Sequence, residues 1–76
     1  MNRKKTTMEQ VPVRIYRLLR SYDLDGKTFG ILTGQSCPTG CSRLKNPKDI
    51  KLGELLDIMT AKKIPMDELV HCFREE

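Results

Sequence analysis

Residues 27–46 read KTFGILTGQSCPTGCSRLKN, and the fold class rests on how this stretch is divided. Phe29 and Leu32 form an i, i+3 apolar pair, with Ile31 beside them and Thr28 as the predicted N-cap of a short helix. Gly34 stands where a helix ends in a left-handed residue. Gly30 lies inside that helix and lowers its propensity by about 1 kcal/mol relative to Ala. Gln35-Ser36-Cys37 reads as a turn. Pro38 then opens a second short helix at its first position, with Cys37 or Ser36 at the cap. Cys41 and Leu44 are its apolar pair, and Thr39, Ser42, Arg43 and Lys45 are its polar positions. Asn46-Pro47 closes it, because the residue before a proline is pushed out of helical geometry.

The flanking segments supply more helices. Val11, Ile15, Leu18, Leu19 and Tyr22 recur at helical spacing and predict a first helix from Pro12 to about Tyr22. Arg14, Arg17 and Arg20 lie outside that stripe, and Asp23, Asp25 and Gly26 are turn residues. After a Lys48-Asp49 loop and an apolar anchor at Ile50, Leu52, Leu55, Leu56 and Met59 fall at i, i+3, i+4, i+7 and predict a fourth helix. Lys62 and Lys63 fall in its last turn, where cations suit the helix dipole. A fifth helix starts around Pro65, with Asp67 and Glu68 in its first turn and Met66, Leu69, Val70 and Phe73 on its inner face. No segment reads as a strand. The expected fold class is all-α, a compact bundle of about five short helices over 11–76, preceded by a basic arm at 1–10 that carries Arg3, Lys4 and Lys5.

Composition narrows the function. A 76-residue chain buries only about 60% of the surface that its unfolded form exposes, which leaves little room for an enclosed active site. With 38% apolar and 32% charged residues it is neither disordered nor membrane-spanning in character, and no apolar run exceeds two residues. A cytoplasmic location is the expectation. Residues 1–51 hold eleven Lys/Arg against four Asp/Glu, a balance of +7, and residues 52–76 hold three against six, a balance of −3. A basic front and an acidic back suit a protein with one face toward a polyanion.

The ordered set from Ile15 to Leu69 resembles the Cro/repressor-type (lambda-repressor-like) helix-turn-helix family. IKLGELLDIMTAKKIPMDEL at 50–69 is similar to that family's closing pattern of apolar anchor, Leu-Leu-x-Ile helix, short link and Asp-Glu-Leu turn. Gly30 falls where the family commonly has a small Ala, Gly34 at its turn glycine, and CSRL at 41–44 on its recognition-helix run. The resemblance departs from the pattern at Lys27 and Thr28, where the family often has Gln, at Lys45, where it often has Glu, and in a turn that reads one residue longer, with Pro38 and Gly40 inserted. It implies a bacterial or phage transcription regulator that binds double-stranded DNA, with the second short helix in the major groove. The residues expected on DNA are Lys27, Thr28, Gln35, Ser36, Thr39, Ser42, Arg43, Lys45, Asn46 and Lys48, with Gly40 also on that side. Arg43 is the expected base reader, since guanidinium matches the two acceptors of guanine. Thr28, Gln35 and Ser36 sit at helix starts that favour phosphate. A homodimer through the C-terminal helix, at Val70 and Phe73, would present two such helices.

Two other readings compete. A protein-binding adaptor or anti-repressor on the same fold is motivated by Pro38 and Gly40 in the second short helix. A small zinc module would use Cys37, Cys41, His71 and Cys72, but the pair spacing is three and the second pair is adjacent. An odd count of three cysteines argues against a disulfide framework. No cofactor and no catalysis are expected. His71, the sole histidine, lacks a nucleophile partner and reads as a partly buried structural residue.

Overall fold

The computed structural model describes residues 8–74. The Arg3-Lys4-Lys5 arm lies outside them. The helices are α1 (Val11–Ser21), α2 (Gly26–Thr33), α3 (Cys37–Lys45), α4 (Leu52–Lys62) and α5 (Met66–His71), with a 3-10 turn at Pro47–Asp49 where a plain loop was expected. The described residues form no strand, and the five helices pack into one compact globule.

Each helix forms for local reasons. Pro12 stands in the first turn of α1, where its missing N–H is no loss. Asp25 caps α2, its carboxylate accepting from the Thr28 N–H at 2.8 Å. This corrects the expectation of Thr28 as cap: α2 starts three residues earlier, and Thr28 lies inside its first turn. Ser36 caps α3 and accepts from the Thr39 N–H at 3.3 Å. Pro38 is therefore the second residue of α3, not the first.

Three helices end alike. After α1, α2 and α4 the chain turns through left-handed residues, Asp23, Gly34 and Lys63, with φ of 61, 73 and 56°. Each end carries the paired bonds of a Schellman motif. Leu24 N–H donates to Leu19 O and Asp23 N–H to Arg20 O, Gln35 to Gly30 and Gly34 to Ile31, Ile64 to Met59 and Lys63 to Thr60. The motif turns the next residue inward. Leu24 and Ile64 are thereby buried in the core, and Gln35 is carried toward α4.

The core comprises Leu19, Leu24, Phe29, Leu55, Ile58, Met59, Ile64 and Leu69, with Ile15, Leu18, Tyr22, Leu32, Leu44 and Ile50 packed against it. Its membership corrects two expected faces. On α4, Leu52 and Leu56 are 68% and 42% exposed, whereas Ile58 is fully buried. The apolar residues of α4 spread over a wider arc than the core can cover, and packing selects the side that carries Leu55, Ile58 and Met59. On α5 and the turn that follows it, Leu69 and Cys72 are buried, while Met66, Val70 and Phe73 are exposed. His71 is also exposed. Ile31 on α2, expected to pack, is 66% exposed.

Candidate nucleic-acid interface

α2 and α3 cross at glycines. A Cβ on Gly40 would run into the carbonyl of Gly26 and come within 2.9 Å of the Gly30 nitrogen. One on Gly30 would stand 2.7 and 2.8 Å from the carbonyl oxygens of Ser36 and Gln35. One on Gly26 would strike the Cys41 sulfur. Absence of side chains at 26, 30 and 40 lets the two backbones touch. This corrects the expected rotation of α3: Gly40 is buried against α2 and Cys41 is exposed.

A single carboxylate ties this pair to the rest of the molecule. Glu54, in the first turn of α4, is buried. It accepts from Gln35 Nε2 at 2.5 Å, from Arg43 Nε at 3.0 and 3.3 Å, and from the backbone N–H of Lys51 at 3.0 Å. Burial by itself raises the pKa of this group. The hydrogen bonds from Arg43, the Lys51 N–H and Gln35, with the Arg43 charge, outweigh burial and hold the pKa at about 2. Glu54 therefore links the turn (Gln35), α3 (Arg43) and the start of α4 as an anion at neutral pH. Sequence reading missed it. The available signal was a glutamate three residues after the cap position, on the same side of α4 as Ile58.

The ten residues expected on DNA separate into two groups. Lys27, Ser36, Ser42, Lys45, Asn46 and Lys48 are exposed on and around α3. Thr28, Gln35, Thr39 and Arg43 are half-buried and bonded within the fold. Thr28 spends its N–H on Asp25, so a carboxylate of the protein itself fills the anion position at the start of α2. The bond from Thr28 lowers the Asp25 pKa, which keeps that carboxylate charged. Arg43 turns its Nε to Glu54.

The charge asymmetry is also redistributed. Arg14 and Arg17 belong to α1. They line a groove of about 560 Å³ together with Leu18, Asp67, Glu68, His71 and Cys72, between α1 and α5. Among the described residues no group of three or more His, Cys, Asp or Glu is placed to hold a metal ion, so Cys37, Cys41, His71 and Cys72 do not converge as a zinc module needs. No helix among the described residues is long and apolar enough to cross a membrane. No protein-family model, curated protein or solved structure matches the chain.

Proposed function

We propose that the chain is a sequence-specific DNA-binding transcription regulator of the Cro/repressor type, with α2 and α3 as its helix-turn-helix and α3 as the helix that enters the major groove. The observation that carries this reading is the glycine-lined crossing of α2 and α3 across the link at 34–36, which leaves α3 uncovered on the side that carries Ser42 and Lys45. On that side Ser42 and Asn46 read base edges, and Lys27, Lys45 and Lys48 meet phosphates. Ser36, at the start of α3, lies where backbone N–H groups favour a phosphate. Arg43 and Gln35 act as struts that set the angle of α3 through Glu54. The exposed Met66 and Val70 of α5, with Phe73 just after it, supply an apolar surface for a homodimer, which pairs two α3 helices on adjacent half-sites.

Selection of bound sequences from a random DNA pool, followed by titrations at two salt concentrations, tests this. The expected result is an enriched palindrome and an affinity that falls steeply with salt. Lys45→Ala and Lys48→Ala each weaken binding to all sequences alike and reduce the salt slope by about one. Ser42→Ala and Asn46→Ala change the preferred sequence. Binding that is no tighter to the selected pool than to random DNA sinks the proposal. That outcome favours the adaptor or anti-repressor reading, to which the exposed Ile31, Cys37, Pro38 and Cys41 on the same two helices would belong.

A further inference from the structure

The solvent side of α3 presents two free thiols. Cys37 is its first residue and Cys41 stands one turn later, and both are exposed. Their sulfurs are 4.0 Å apart. Residues four apart share a helix face, the arrangement by which paired side chains of one helix chelate an ion. Two sulfurs bound tetrahedrally at about 2.3 Å stand about 3.8 Å apart, and a wider sulfur–metal–sulfur angle separates them further. The observed separation therefore needs only side-chain adjustment to hold one ion. A disulfide fits less well. It draws the Cβ atoms to about 3.8 Å, against about 5–6 Å for neighbours on a helix face, so oxidation has to open the first turn of α3. The Cys41 sulfur is seated against the Gly26 backbone, which limits where it can move. Cys72 stands apart, buried, with its thiol donating to the Glu68 carbonyl at 3.5 Å.

We propose that Cys37 and Cys41 form a two-thiolate clip for a soft, two-coordinate cation of the Cu(I) class. Thiolate ligands select soft ions such as Cu(I) and zinc. Among the described residues no third His, Cys, Asp or Glu joins the pair, so a four-coordinate ion is left half unsatisfied while a two-coordinate ion is complete. Binding replaces the two S–H protons with the metal: two protons leave, and the bis-thiolate complex carries one negative charge. The hydrogen bond with Cys41, desolvation and the Cys41 and Asp25 charges raise the Cys37 pKa, and the Lys27 charge opposes them only in part, so the metal has to displace protons that the free pair holds. A filled clip places this charge beside the start of α2, where the Cys41 sulfur meets Gly26. Its effect on DNA rests on the proposed function, but the uptake of metal does not.

The test is an anaerobic titration of the reduced full-length protein with Cu(I) against a chromophoric Cu(I) chelator, with circular dichroism on every variant. Wild type and Cys72→Ser should take up one equivalent. Cys37→Ser and Cys41→Ser should each bind at least tenfold more weakly, and the double variant not at all. Alkylation of unmutated protein should show Cys37 and Cys41 protected by one equivalent of Cu(I), which keeps the test independent of any folding defect. Uptake that survives in the double variant, uptake lost in Cys72→Ser alone, absence of protection, or tighter binding of Zn(II) than of Cu(I) by the pair would each overturn the proposal. DNA affinity measured with and without Cu(I) then reads the consequence separately.

Discussion

Glu54 is the only charged side chain buried among the described residues, and its partners come from 11 and 19 positions earlier in the chain. Its folded pKa of about 2 lies below the ordinary 4.5. A depressed carboxylate pKa contributes stability that is complete above the unfolded value and is lost as pH falls through the folded value. The window is therefore pH 4.5 down to about 2, and linkage puts the contribution at about 3 kcal/mol. Glu54→Gln should lower the unfolding free energy by about 2–3 kcal/mol at pH 7, because Arg43 loses its counter-charge in a partly buried setting. Urea midpoints of the two proteins should converge as pH falls from 4.5 toward 2. A constant gap across that range would show that Glu54 acts by packing alone. Under the proposed DNA-binding reading, Arg43→Ala weakens DNA binding by displacing α3 from its place against Glu54.

At the scale of elements, close approach and backbone handedness separate residues that look alike in sequence. Gly40 and Gly53 both lie inside helices. A Cβ at 40 meets backbone, and one at 53 meets nothing within 4 Å. Gly40→Ala should destabilise by about 3 kcal/mol or more, since neither neighbouring backbone can yield without parting α2 from α3. Gly53→Ala should stabilise by about 0.5–1 kcal/mol through helix propensity alone. Thermal unfolding of the two variants checks the contrast, and similar shifts would contradict the crossing. The Schellman ends give another prediction. Gly34 accepts its left-handed φ without strain, but Lys63 does not have that freedom. Lys63→Gly should therefore raise the unfolding free energy by about 0.5–1 kcal/mol, measured by denaturant titration, and an unchanged or lower value would mean that the strain is absorbed elsewhere.

For the whole molecule, the small core decides which apolar residues count. Ile58→Ala should cost about 2–5 kcal/mol, enough to unfold much of a domain this size at room temperature. Leu52→Ala, on the same helix but 68% exposed, should fall within about 0.5 kcal/mol of wild type. Equal losses would mean that Leu52 is covered in solution by a second copy. Met66 and Val70 on α5 and Phe73 in the turn after it are also exposed, so sedimentation of wild type and Phe73→Ser across a concentration range tests whether α5 and that turn form a dimer surface. Placement of Arg14 and Arg17 against Asp67 and Glu68 means that the basic front of the sequence does not map onto one basic face.

The sequence by itself determined the number and order of the helices, the turn at Gly34, the closure at Asn46-Pro47 and the absence of strand pattern, because caps, prolines, glycines and helical spacing act within a few residues. Tertiary structure alone decided which side of each helix is inside. Leu52, Leu55, Leu56, Ile58 and Met59 are all apolar, and only contact with the rest of the core separates the buried from the exposed. Cys41 and Gly40 exchange roles for a related reason: apolar character favours burial of the thiol, but backbone contact between α2 and α3 admits only the residue without a side chain. Asp25 displaced Thr28 as a cap because α2 begins at Gly26, a glycine whose place is decided by the closeness of Cys41 across the crossing. The Glu54 hub was illegible for the plainest reason. Its bond to the Lys51 N–H is local, but Gln35 and Arg43 lie 19 and 11 residues away, and no local pattern records that folding brings them to the same carboxylate.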